Sequence, residues 1–179
     1  MDALLDDVPN NRHYLNAAVQ SLLFSSNEVT DWDRHIANYL LSLKAYDHCL
    51  QFVHHTLSLS IDPADINTTL EVLLECKQYN EIHSYIKSFY KEVNKELTLE
   101  YKNILKQLFV FLIEKHNKPT ILLKYTFSEL ENVELLKYLE SMKVEEVLFS
   151  FHIKRKNYAK AMEVYENMPQ NKKVNFILN

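Results

Sequence analysis

From Leu15 to Met168, apolar side chains recur at intervals of three and four, the spacing that lines one face of an α-helix. Leu15, Val19, Leu22 and Leu23 form a first stripe, and Trp32, Ile36, Tyr39, Leu40 and Leu43 a second, with Thr30 as N-cap and Asp31 and Asp33 at the positive end of the helix dipole. Tyr46, Cys49, Leu50, Val53 and Leu57 continue as a third helix. Asp62-Pro63-Ala64-Asp65 opens a fourth with a capping aspartate and proline at the first helical position, followed by Ile66, Leu70, Leu73 and Leu74. Tyr79, Ile82, Ile86, Phe89 and Val93 mark a fifth. Thr98 caps a sixth through Tyr101, Ile104, Leu105, Leu108, Phe109 and Leu112, apolar almost all round near its end once Val110 and Phe111 are added, as expected of a central helix. Pro119 begins a short seventh piece. Ser128-Glu129-Leu130-Glu131 has the form of a capping box leading to Val133, Leu136 and Leu139. Two more segments follow, Val144 to about Lys154 and Asn157 to Met168, ended by Pro169. The pattern predicts an all-α chain of about ten helices without a sheet, arranged as antiparallel hairpins stacked into an α-solenoid over a single domain, residues 1–179; a compact irregular bundle is the alternative.

Composition removes many functions. The chain of 179 residues has no glycine, whereas average usage predicts about a dozen. Phosphate cradles, tight hairpin turns and strained nucleophile turns depend on glycine for positive φ or close backbone approach, so nucleotide-loop chemistry is not expected. With 47% hydrophobic residues the chain can bury a sizeable core. A net charge of −4 and a longest basic cluster of three residues, Lys154 to Lys156, argue against direct nucleic-acid binding. Cys49 and Cys76 sit in apolar helical patterns, as buried thiols of a reduced intracellular protein do. The N-terminal stretch has neither signal- nor transit-peptide character, and the longest apolar run, Leu108 to Ile113, is far short of a membrane span.

Candidate chemistry has simpler explanations. His48, Cys49, His54 and His55 are concentrated locally, but side chains one apart on a helix diverge and no second ligand pair follows at metal spacing. Asp31, Asp33 and His35 could be drawn as acid–base partners, yet helix capping accounts for the aspartates. Asn67-Thr68-Thr69 matches a glycosylation acceptor without a secretory signal beside it. No catalytic residue, cofactor, metal or small-molecule substrate is expected, and the chain reads as a non-enzyme.

The most specific string is Val147 to Ala161, VLFSFHIKRKNYAKA, two apolar helical faces separated by a basic turn. It is similar to a tetratricopeptide-like helix pair. More fully, Leu148, Phe149, Phe151, His152, Ile153, Arg155, Asn157, Tyr158, Lys160 and Ala161 match a pattern like L-[YF]-x-F-H-I-x-R-x-N-Y-x-K-A, which resembles the solenoid of the 160-kilodalton nucleoporin family, the long-arm subunit of the Y-shaped scaffold complex of the nuclear pore. Leu122 to Met142 looks similar in organisation, and weaker similarity extends back to about His13. Members of that family are far longer and begin with a β-propeller, so by this resemblance the chain is a segment or reduced relative, and functions needing the propeller are in doubt. The resemblance implies a structural role in nuclear pore assembly and nucleocytoplasmic transport, with other Y-complex nucleoporins as partners and the nuclear envelope as location. The ten residues are then packing or interface positions. On the residues themselves, Phe149, Phe151, Tyr158 and Tyr165 are expected in the core, Lys154 and Arg155 on the last carbonyls of their helix, and Asn157 as a cap. The alternative function is an independent tetratricopeptide-like adaptor that holds peptide segments in a helical groove.

Overall fold

A computed structural model of the chain describes residues 31–58, 60–170 and 173. The stripe at Leu15 to Leu23 and the cap at Thr30 lie outside the described residues. The rest is mostly helical and divides into two compact units, Met1–Tyr85 and Ile86–Asn179.

In the first unit, α1 (Asp31–Ser42), α2 (Tyr46–Thr56) and α3 (Pro63–Glu75) pack on one another. Their buried faces meet in a core of Ala37, Leu40, Cys49, Phe52, Val53, Leu57 and Val72, whereas Trp32, Tyr39 and Leu43 of the stripe expected for α1 are exposed. Cys49 is fully buried and its thiol donates to the Ala37 carbonyl at 3.3 Å; burial, with the second thiol Cys76 adding to it, pushes its pKa up to about 12, so Cys49 is an inert core residue. The predicted start of α3 is present: Asp62 accepts from the Ala64 amide at 2.8 Å, with Pro63 at the first turn. Asp65, one turn in, is buried and held by Arg34 and Ser60, each at 2.5 Å, which ties α1 to α3 by a charge with its hydrogen bonds made. α4 (Tyr79–Ser88) runs across the unit boundary.

The second unit opens with a correction. The fifth helix was expected to reach Val93, and no sheet was expected; α4 instead ends at Ser88, and β1 (Glu92–Val93) pairs antiparallel with β2 (Glu96–Leu97). The turn between them is Asn94-Lys95, both at positive φ, 54° and 64°, which is the conformation of a two-residue type I′ hairpin. Asparagine tolerates this region because its short side chain is small and polar, so the hairpin forms without glycine.

From there α5 (Leu99–Phe109), capped by Thr98 as expected, continues into a π-helical turn, Val110–Lys115. α6 (Pro119–Lys124), α7 (Glu129–Met142), α8 (Glu145–Lys154) and α9 (Tyr158–Asn167) follow. The apolar end of α5 and the π turn is central, with Leu108, Phe109, Phe111 and Leu112 all buried. Phe109 packs against Phe127 and Tyr138, ring centroids 6.3 and 5.4 Å apart. The capping box at Ser128 and Glu131 closes reciprocally, and the Glu131 carboxylate is fully buried as a hub. It accepts from Lys87, from the Tyr101 hydroxyl at 2.5 Å and from the Ser128 amide at 2.6 Å. Burial alone would raise the Glu131 carboxyl, but the hydrogen bonds outweigh it and hold the carboxyl below its ordinary value.

Four helix–helix turns repeat one device. Lys44, Lys77, Lys143 and Lys156 each adopt positive φ, between 52° and 59°, just past a helix end. At each, the lysine amide bonds a carbonyl three residues back and the next amide bonds one five back, as in Lys77 to Leu74 at 3.0 Å and Gln78 to Leu73 at 2.8 Å. These are Schellman caps with lysine where glycine is usual. Two residues after the lysine the next helix begins, with Tyr46, Tyr79, Glu145 and Tyr158. Three residues further on, or two after Glu145, comes a buried side chain: Cys49, Ile82, Val147 and Ala161. A local repeat thus marks four of the helix–helix turns, which the hydrophobic stripe alone does not reveal.

Candidate functional site

The ten residues of the resembling string all lie on the α8–α9 hairpin, α8 packing on α6 and α7 as well as on α9. Glu145 and Glu146 occupy the first turn of α8 and Lys154 its last, a distribution that suits the helix dipole. Asn157 is a cap as expected: its side chain accepts from the Lys160 amide at 3.4 Å, and its own amide bonds the His152 carbonyl at 2.9 Å. Ala161 is buried where α9 approaches α8, and its small size permits that approach.

The aromatic residues divide. Phe151 is buried, while Phe149 and Tyr165 are half-buried and pack together with centroids 6.1 Å apart. Tyr158 is 60% exposed, against the expectation of a core position; it is the first residue of α9, a turn before the buried contact made by Ala161. Ile153 is 41% exposed and Met162, one turn after Tyr158, 53%. Leu148 is half-buried and Lys160 exposed. Arg155 does not return to the carbonyls of its helix. Its guanidinium stacks over the Phe151 ring at 5.1 Å and donates to the Asn132 side chain on α7, tying the hairpin turn to the preceding helix.

Between the end of α7 and the facing sides of α8 and α9 lies a cleft of about 380 Å³. Leu148, His152 and Lys160 from the string line it, joined by Glu140, Lys143, Glu145, Glu163, Val164 and Asn167, which the sequence reading did not single out. The phase of α9 carries the signal that could have found some of these: Lys160, Glu163, Val164 and Asn167 share one face at helical spacing. His152 is only 4% exposed, and its ring packs against Phe151 at 5.6 Å. Burial, then the Lys160 ammonium, lowers its pKa against the opposing pull of Glu140 and Glu163, which keeps the imidazole neutral at pH 7.

The other candidates remain separate. His54 pairs with Glu81 at 3.1 Å, and His35 packs against Trp32 at 6.1 Å. No group of three or more His, Cys, Asp or Glu side chains among the described residues is placed to hold a metal, and no helix among them is long and apolar enough to cross a membrane. Comparison with protein-family models, with curated proteins and with solved structures finds no match to this chain.

Proposed function

We propose that this chain is a non-enzymatic helical scaffold, its hairpins stacked as an α-solenoid, whose exposed apolar positions bind other protein subunits. The carrying observation is the exposure of Ile153, Tyr158 and Met162 on the α8–α9 hairpin, whose turn is tied down by Arg155 and Asn157. Apolar side chains held together on a rigid surface are a mark of a protein contact. Together with the string Leu148 to Ala161, this supports a role like that of the helical region of a Y-complex nucleoporin, in nuclear pore assembly and nucleocytoplasmic transport, with other nucleoporins of that complex as partners. Affinity purification of the chain from its native cells, followed by mass spectrometry, tests the reading. Recovery of Y-complex nucleoporins, lost when Tyr158 and Met162 are both changed to glutamate, is the expected result; recovery of unrelated proteins only sinks it.

The cleft beside the hairpin favours a second reading, a tetratricopeptide-like adaptor that takes a peptide side chain between helices.

A further inference from the structure

The α7–α8–α9 cleft combines an apolar wall with polar groups, several of which have no hydrogen bond among the described residues. Leu148 and Val164 supply the wall. The Glu140 and Glu163 carboxylates have no hydrogen bond or ion pair among the described residues. Most telling is His152: more than nine-tenths buried, part of the cleft lining, and without a hydrogen-bond partner for its imidazole among the described residues. Its ring nitrogens are not among the described buried atoms left without a partner, so water reaches them through the cleft and an entering donor would replace that water.

We propose that the cleft receives an arginine side chain presented by a partner protein. An arginine stem is apolar and fits against Leu148 and Val164, while its guanidinium offers five N–H donors and no acceptor. Carboxylates at Glu140 and Glu163 and a neutral imidazole nitrogen at His152 are acceptors, so each finds a donor. Carboxylates outnumber ammonium groups in the lining, three to two, which favours a cation over an anion. Lys143 and Lys160, at the same cleft, are then placed for an acidic residue flanking the arginine. Lysine fits less well, because one compact ammonium cannot bridge acceptors as a planar fork does. The inference rests on the partner-binding reading only for the source of the arginine.

The test is a titration of N-acetyl-arginine methylamide into the isotope-labelled full chain, followed by NMR at the His152 ring nitrogens and the Leu148 and Val164 methyl groups. Saturable shifts at these three residues are expected. The citrulline analogue, which keeps the shape and loses the charge, should bind about tenfold more weakly. Glu140→Gln with Glu163→Gln, surface changes that leave the helices intact, should weaken arginine by a similar factor. Absence of saturable shifts at those residues, equal binding of citrulline, or shifts caused instead by N-acetyl-aspartate methylamide would overturn the proposal. Because the titration needs no partner, it can fail while nucleoporins are still recovered by purification, and succeed while they are not.

Discussion

At the residue scale, the glycine-free chain meets the need for left-handed backbone with lysine and asparagine. Among the described residues the positive-φ positions are Lys44, Lys77, Asn94, Lys95, Asn117, Lys143 and Lys156. A non-glycine residue in this region loses about 1–2 kcal/mol to the clash of Cβ with the following carbonyl, and glycine in its place adds about 0.5–1 kcal/mol of unfolded-state entropy to be lost. Lys77→Gly is therefore expected to stabilise the protein by about 0.5–1 kcal/mol, read as a higher urea midpoint at unchanged slope. Lys77→Val should destabilise it, since a β-branched side chain worsens the clash. Glu131 is the opposite case, a residue whose loss is costly because Tyr101 is buried with it and Lys87 is part-buried. Glu131→Ala should cost about 3–5 kcal/mol in chemical denaturation by leaving Lys87 and Tyr101 without their acceptor. Its depressed carboxyl also sets a pH dependence. The contribution is fully present above the ordinary value of 4.5 and is lost as pH falls through the lower folded value. Glu131→Gln should flatten that part of the stability curve between pH 5 and pH 3, roughly the range over which a Glu titrates.

At the element scale, caps and small residues decide where helices start and how closely they approach. The Ser128 side chain accepts from the Glu131 amide at 3.4 Å, and Glu131 returns a bond to the Ser128 amide, so α7 begins where the capping box predicts. Ser128→Ala should cost about 1 kcal/mol, measured by thermal unfolding. Ala161→Leu is expected to cost about 1–3 kcal/mol by overpacking the α8–α9 contact, whereas Ala159→Leu, on the exposed side of the same helix, should be near neutral. These features were legible because capping and 3.6-residue periodicity act over a single turn of chain. The β1–β2 hairpin was not. Val93 continues the apolar spacing of α4, and only the paired left-handed conformations of Asn94 and Lys95 turn it into a strand. The position of Arg155 was equally hidden, since its partner Asn132 lies 23 residues away on α7.

At the scale of the whole molecule, the chain's net charge of −4 conceals a division. Residues 1–85 carry four Lys and Arg against twelve acidic residues, a net of −8, while residues 86–179 carry sixteen against twelve, a net of +4. A partner of the second unit therefore meets a different field from a partner of the first, so charge-based arguments belong to each unit and not to the average. The apolar positions Tyr158 and Met162 are expected to contribute to binding and not to folding. Changing both to glutamate should alter stability by no more than about 0.5 kcal/mol, checked by thermal unfolding, while partner recovery falls about tenfold or more. What the sequence determined by itself was the helical character of the chain, most helix starts and the greater part of the core, because caps and periodic burial are local rules. Tertiary structure alone decided which half-apolar residues stay exposed, where the second unit begins, that Glu131 gathers Lys87 and Tyr101, and that three helices leave a cleft around His152. Each of these depends on the phase in which distant helices meet, and a one-dimensional pattern does not contain that phase.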